Sequence, residues 1–376
     1  DQTIRSSVSR LETYFQCSYH YFSQYTLGLQ ERKQFSLEAP DIGQLFHESL
    51  RLITEWVQRD DKALFELTQE DIERYTNEAI TYLAPILNNQ ILFSSNRYRY
   101  ILYKLKHVIL RATNMLVYQS KQSDFKPVGI ELGFGRGQKL PPLSLDLVNG
   151  YQLELNGRVD RVDSAEIDQE LYLRIIDYKS SEKDMNLVDV YYGLSLQMLT
   201  YLDVVLTHSE TWLGRKADPA GVFYFHVHNP VLKNPVSEEQ MEQELIKKFR
   251  MNGLLLEDHR VAQAMDTTIE SGTSQIAPFG IKKDGAFTKH SNILDQELFQ
   301  RMNRFARSLM KEAGDEIVGG EVKLNPYEKD QQIACTYCPF KSVCQFDPKL
   351  EENDFRRLKK EKDEIILTKM GTKGGE

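Results

Sequence analysis

The 376 residues hold no apolar run long enough to cross a bilayer, no signal-peptide pattern and no glycine-rich phosphate loop. A membrane-spanning helix, which needs about 20 consecutive apolar residues, is excluded, and so is ATP hydrolysis by the P-loop route. Basic charge is also short, with 47 Lys and Arg against 55 Asp and Glu and a net charge of −8. Any nucleic-acid binding must therefore rest on a local basic groove and not on the field of the whole chain. There is no internal repeat, and no Ser/His/Asp or Cys/His set offers a covalent route. The 41% hydrophobic content is ordinary for a soluble protein, and the length suits a large core in two or so compact units. The chain opens on Asp1 where a Met would stand, as expected of a processed chain or a piece of a longer one.

What is present centres on "GRVDRVD…LYLRIIDYKSS", residues 157 to 181. Residues 151 to 163 alternate apolar and polar through Leu153, Leu155 and Val159, which predicts a half-buried strand delivering Asp160 near its end. Residues 171 to 176 are almost all apolar, predicting a strand buried on both faces that ends in Asp177-Tyr178-Lys179. Side chains two apart share a face, so a carboxylate and an ammonium come together, with a second carboxylate close by. Two carboxylates supply hard oxygen ligands for Mg²⁺, and a lysine beside them can orient or deprotonate an attacking water. Phosphodiester hydrolysis is the natural reaction. The tripeptide alone fits an ordinary strand end equally well, with an exposed ion pair worth about 0–1 kcal/mol; the surrounding pattern decides.

That pattern includes a helix expected over roughly 187 to 208, with Gln197 and Tyr201 four apart on one face. Upstream, "GQLFHESL" sets His47 on an amphipathic helix, off the centre of a stripe through Ile42, Leu45, Phe46, Ser49, Leu50, Ile53 and Val57. Three cysteines crowd into "CTYCPFKSVC" as Cys335, Cys338 and Cys344, and the fourth, Cys17, lies more than 300 residues away. Such clustering without secretory features favours metal ligation over disulfides. Four thiolates suit tetrahedral zinc or an iron–sulfur cluster alike, and joining the two ends through them would close nearly the whole chain.

Elsewhere, residues 1 to 28 read as one capped, densely aromatic helix, and 41 to 121 as helical, with Thr68 and Asp71 near a capping box. A helix at about 96 to 120 carries Arg97, Lys104 and Arg111 at seven-residue spacing among Tyr98, Tyr100 and Tyr103, a candidate DNA-binding face. Glu131, in the strand "KPVGIELGFG", is a further acidic candidate. His226 and His228, in "AGVFYFHVHN", are read as structural. We expect an N-terminal helical part (1–125) carrying Cys17 and His47, a core (126–230), a mostly helical region (231–330), and the cysteine cluster with a charged tail that frays (331–376).

In their order along the chain, the G-x-x-x-H helix, the "GRxDRxD" strand, the "DYK" strand and the Q-x-x-x-Y helix resemble the RecB-type nucleases of the PD-(D/E)xK superfamily. The fold implied is α/β, a restriction-endonuclease-like core with a mixed central sheet flanked by helices, extra helical regions and a C-terminal four-cysteine cluster. A first cysteine in "SRLExYxxC", with three more after the core, resembles the 4Fe-4S staple of the AddB family, although Ser18 stands where that family usually has proline. The resemblance implies Asp160, Asp177 and His47 as Mg²⁺ ligands with the Tyr178 carbonyl, Lys179 activating water, and Gln197 and Tyr201 positioning it. Cys17, Cys335, Cys338 and Cys344 would hold the cluster. It also implies a cytoplasmic, nucleoid-associated bacterial DNA exonuclease of double-strand break repair and recombination, acting on the 5′ strand of unwound duplex beside an AddA-like helicase–nuclease subunit. Two rivals are a stapled module that grips DNA ends without cutting, and a RecB-like exonuclease that works alone.

Overall fold

Apolar alternation through Leu153, Leu155 and Val159 sustains a strand from Gln152 to Ile167, and the sheet is assembled on that 16-residue span. The computed structural model describes residues 2–32, 35–231, 237–351 and 353–373. In chain order, β1 (Thr3–Ser7) runs into α1 (Val8–Gln16), followed by α2 (Ala39–Arg59), α3 (Gln69–Leu83) and α4 (Asn96–Lys121). Then come β2 (Lys126–Phe134), β3 (Leu143–Asp146), the long strand β4 (Gln152–Ile167), β5 (Glu170–Lys179), α5 (Leu187–Tyr191), α6 (Gln197–Thr207) and β6 (Ala217–His226). The remainder supplies α7 (Glu238–Lys248), β7 (Asn252–Leu256), β8 (Ile293–Leu294), α8 (Gln296–Val318) and α9 (Asp363–Lys373).

The sheet is mixed. The start of β4 pairs parallel with β1 and antiparallel with β3, and its second half is flanked by antiparallel β2 and β5. β5 and β6 are parallel, joined through α5 and α6, whereas β7 is antiparallel to β6 and β8 parallel to β7. As the continuous apolar run requires, β5 is buried through its centre, with Leu173 and Ile175 fully enclosed. Helix α2 packs over β2 and β5, and α6 over β5 and β6.

Four expectations are corrected. Residues 1–28 are not one helix: Thr3–Ser7 pair with β4, Ser7 caps α1 by accepting from the Arg10 N–H, and the helix breaks at Cys17. The helix expected over 187–208 splits at a turn through Gly193 (φ 75°), so Gln197 opens a helix of its own. Region 231–330 is not mostly helical; β7 and β8 extend the central sheet. The tail does not fray as far as Lys373, because α9 buries Ile366 and Met370 against the rest of the core; residues 374–376 lie outside the described residues. The capping box at Thr68 and Asp71 is present as expected.

The second half of "GRVDRVD" is structural. Asp163, fully buried, accepts two hydrogen bonds from Arg161 (2.6 and 3.0 Å) and two from Arg174 (2.9 and 2.8 Å). Burial alone would raise the Asp163 carboxyl, but the two guanidiniums reverse that and hold it below the usual carboxylate range. Removing one partner of such a group leaves buried charge uncompensated, at a cost of about 3–5 kcal/mol. Asp163→Ala is therefore expected to lose stability of that order in chemical denaturation. A loss under about 1 kcal/mol would show that the arginines find other partners.

Candidate active site

The register that pairs Arg161 with Ile176 ends one residue short of Asp160 and Asp177, which stand opposite each other on β4 and β5. Asp160 is tied down by the Tyr178 backbone N–H, donated at 2.8 Å to Oδ2, and by His47 Nδ1 3.1 Å from the same oxygen. His47 reaches the strands from α2, its ring edge-on to Tyr178. Gly43, one turn earlier, lies so close to Ser180 that an added Cβ would come within 3.3 Å of its hydroxyl, which accounts for the glycine of the G-x-x-x-H pattern.

Glu131 completes this group from β2, in a left-handed backbone conformation (φ 47°) rare for a non-glycine residue and costing about 1–3 kcal/mol. Across from it, β4 presents Asp160, and the ligand atoms of His47, Glu131 and Asp160 all lie within 4.8 Å of one another. Asp177 stands just outside the trio, its Oδ2 2.6 Å from Lys179 Nζ. As expected for residues two apart on a strand, the carboxylate and ammonium share a face. Lys179 also donates to Gln197 Oε1 at 3.5 Å, and Gln197 Nε2 donates to the Tyr201 hydroxyl at 2.9 Å. The Q-x-x-x-Y pair thus continues a line from Asp177 through Lys179. Tyr201 packs edge-on to Phe134, and a Cβ on Gly157 would fall 2.7 Å from that Phe134 ring, so the glycine of "GRVD" makes room for it.

Electrostatics single out the same residues. Burial, then the Asp160 charge, pushes Asp177 up to about 6, with Lys179 opposing. Burial followed by the Asp160 charge pushes Glu131 up to about 7, against the pull of Arg158. His47 is lowered by burial, but its hydrogen bond to Asp160 and the charges of Asp160 and Asp177 leave it above its ordinary value.

A divalent cation fits here. Asp177 is 1% exposed, and among the described residues neither carboxylate oxygen accepts a well-directed hydrogen bond; Lys179 approaches closely, but as a charge contact. Buried polar atoms left in that condition are costly, and a cation held by His47, Glu131, Asp160 and Asp177 would relieve them.

The four cysteines also converge. Cys17 leaves α1 with extended backbone, and with Cys335, Cys338 and Cys344 it lines a mainly apolar pocket walled by Leu324, Pro326, Ala334 and Phe346. None is in a disulfide. Burial, then the neighbouring thiol charges, pushes Cys335 up to about 11, and burial pushes Cys338 up as well. Four thiolates would repel one another unless a cationic centre sat among them, so this donor set fits a metal group.

Of the three cations expected to contact DNA, Arg111 donates to Asn229 beside the end of β6, while Arg97 and Lys104 are exposed farther toward the start of α4. Glu12 went unmarked in the sequence. Its Oε1 accepts from the Leu196 N–H (2.7 Å) and the Gln197 N–H (3.0 Å), capping α6 from α1. The one signal for it was its place in the "SRLExYxxC" helix.

Among known proteins, the profile of the PD-(D/E)XK nuclease superfamily matches residues 5–345. Over 367 residues, 97% of this chain, the sequence is 54% identical to an Oceanobacillus iheyensis protein named as the B-type subunit of an ATP-dependent helicase/deoxyribonuclease. It is 48% identical over 368 residues, again 97% of this chain, to the Bacillus subtilis protein of that name. The chain spans about a third of the length of these relatives, 32% in each case.

The carboxyl shifts have one sign. An acid whose folded pKa lies above its unfolded value adds stability at low pH and loses it as pH rises through the folded value. For Glu131 that window runs from 4.5 to about 7. In chelator, Glu131→Gln is expected to melt above wild type at about pH 8 and level with it at about pH 5. Wild type melting higher at the alkaline end would show that Glu131 is satisfied by partners in the metal-free fold.

Proposed function

We propose, since the chain belongs to the PD-(D/E)XK nuclease superfamily, that it hydrolyses phosphodiester bonds of DNA with Mg²⁺ held at His47, Glu131, Asp160 and Asp177. The observation that carries this reading is the gathering of three ligand groups within 4.8 Å beside a buried Asp177–Lys179 contact. Oxygen-rich ligands suit Mg²⁺, which keeps several waters and takes further oxygens from phosphate. When bound, the cation supplies Lewis acidity toward a phosphate oxygen and water. Lys179 stands where it can hold or move a proton at Nζ and offset charge building on phosphate. Gln197 fixes the lysine by accepting from it while donating to Tyr201, so the pair orients Lys179 and, through it, the water.

The relatives' names support a place in a multi-subunit helicase–nuclease, as the nuclease domain of an AddB-type subunit working with an AddA-like partner on DNA ends in repair and recombination. On the resemblance, the strand cut is the one of 5′ polarity. The expected outcome is that Asp177→Ala, assembled with the partner subunit, stops Mg²⁺-dependent cleavage of one class of end-labelled strand while DNA binding persists. Equal cleavage by variant and wild type would assign all cutting to the partner and leave this chain a grip on DNA ends.

The cysteines are proposed to hold a 4Fe-4S cluster. Tetrahedral zinc, with Zn–S of about 2.3 Å, needs sulfurs about 3.8 Å apart, yet among the described residues no three cysteine sulfurs lie within 4.8 Å of one another. That wider spacing favours the larger group. Because Cys17 follows directly on the helix that carries Glu12, loss of the cluster should loosen the cap on α6 as well. Cys17→Ala is expected to lose iron, melt earlier and show a lower kcat. Full iron content at an unchanged Tm would end the staple reading.

A further inference from the structure

Past the end of β5 lies a cavity of about 550 Å³ that the chemistry above does not use. It opens where parallel β5 and β6 finish and antiparallel β7 begins, and crevices outside the carboxyl ends of parallel strands are where open α/β sheets commonly take ligands. His226, on its wall, is the ladder partner of Lys179, and the next residue, Val227, donates its N–H to the Lys179 carbonyl at 2.8 Å. The cavity therefore starts beside the lysine of the active site.

Its outer wall is basic. Lys247, Lys248 and Arg250 come from the end of α7 and the turn into β7. Lys247 is paired with Glu244, but among the described residues Lys248 and Arg250 have no ion-pair partner. Glu182 is the acid on the lining. Asn229, also on the lining, accepts from Arg111 of α4, so a fourth cation borders the cavity. In a chain with a net charge of −8, this concentration of positive charge next to the reactive group is the local groove that nucleic-acid binding requires.

We propose that this cavity is a backbone subsite for single-stranded DNA, with Lys248 and Arg250 neutralising phosphates adjacent to the one at Lys179. The choice of reactive bond rests on the nuclease reading; the binding does not. The Asn229–Arg111 contact carries the strand's path on toward α4, whose exposed Tyr100 and Tyr103 offer stacking faces.

The test uses the full-length polypeptide with its partner subunit and a short single-stranded oligonucleotide, intact or with one phosphate near the cut bond made uncharged as a methylphosphonate. Lys248→Glu/Arg250→Glu is expected to raise KM by about tenfold, well beyond any change in kcat, and to make the dependence of log KM on log salt shallower by about 1. The methylphosphonate that raises KM for wild type should add nothing in the variant. Equal KM, salt slope and methylphosphonate penalty in both proteins would overturn the proposal. Lys248→Gln/Arg250→Gln, expected to fall between the two, separates charge from misfolding if the reversed pair melts early. Should wild type fail to cleave, fluorescence anisotropy with the same oligonucleotides still decides: weaker binding by the variant keeps the subsite and sinks the nuclease reading, and equal binding sinks the subsite.

Discussion

Asp177 is a carboxylate 1% exposed at the end of a buried strand, and the arrangement around it follows from that placement. An ionised carboxylate stripped of water and of hydrogen-bond donors is strongly disfavoured, which is why its carboxyl is pushed up to about 6. The fold offers it one ammonium, from Lys179. Donors that could have satisfied it serve Asp160 instead, since the Tyr178 N–H and His47 both converge on Asp160 Oδ2. Satisfying one acid and starving the other drives their affinities for protons apart, and the starved acid is the one with most to gain from a cation. Glu131 adds to the pressure from a backbone conformation that itself carries strain. Strain and missing partners at one spot, in a core otherwise well packed, mark where chemistry is done at the expense of stability.

That local cost needs a rigid frame. The buried Arg161–Asp163–Arg174 network, on the same two strands as the acids, fixes how β4 and β5 lie against each other. Helix α1 supplies the long-range part of the frame. Glu12 caps α6, Tyr14 donates to Glu316 of α8 at 2.8 Å, and Cys17 at its end joins cysteines more than 300 residues away. One nine-residue helix therefore bears on the Q-x-x-x-Y helix, the last long helix before the cluster and the cluster itself. Closing a loop of that size is entropically the most demanding tie in the chain, and the metal group is suited to secure it.

The site was legible in the sequence where one residue type does one job at fixed spacing. Asp177 and Lys179 followed from strand alternation, and the order of strand, helix and strand around Gln197 gave the parallel β5–β6 pair. What stayed hidden depends on contacts between distant segments. Thr3–Ser7 looked helical because a short edge strand has too few residues to show a period, and its pairing with β4 is a tertiary decision. Gln197 was placed inside a long helix because the apolar pattern runs on across the Gly193 turn. Glu12 could not be read at all, since a glutamate on an amphipathic helix looks solvated until the N–H groups of Leu196 and Gln197 arrive. Region 231–330 hid its strands in segments of five and two residues, below the length at which alternation is informative.

The two metal-capable sites differ in the softness of their donors, and the fold exploits the difference. Carboxylates and an imidazole at the ends of β4 and β5 favour hard or borderline ions, whereas four thiols favour soft ones. Each set is completed by residues from distant parts of the chain: His47 comes from α2, and Cys17 follows α1. Neither site can be assembled by a fragment, so ions of either kind are captured only after the sheet and its helices have come together. The coupling between the sites is then mechanical and not chemical. It runs through α1 to the backbone N–H groups that open α6, and from Gln197 to the lysine beside Asp177.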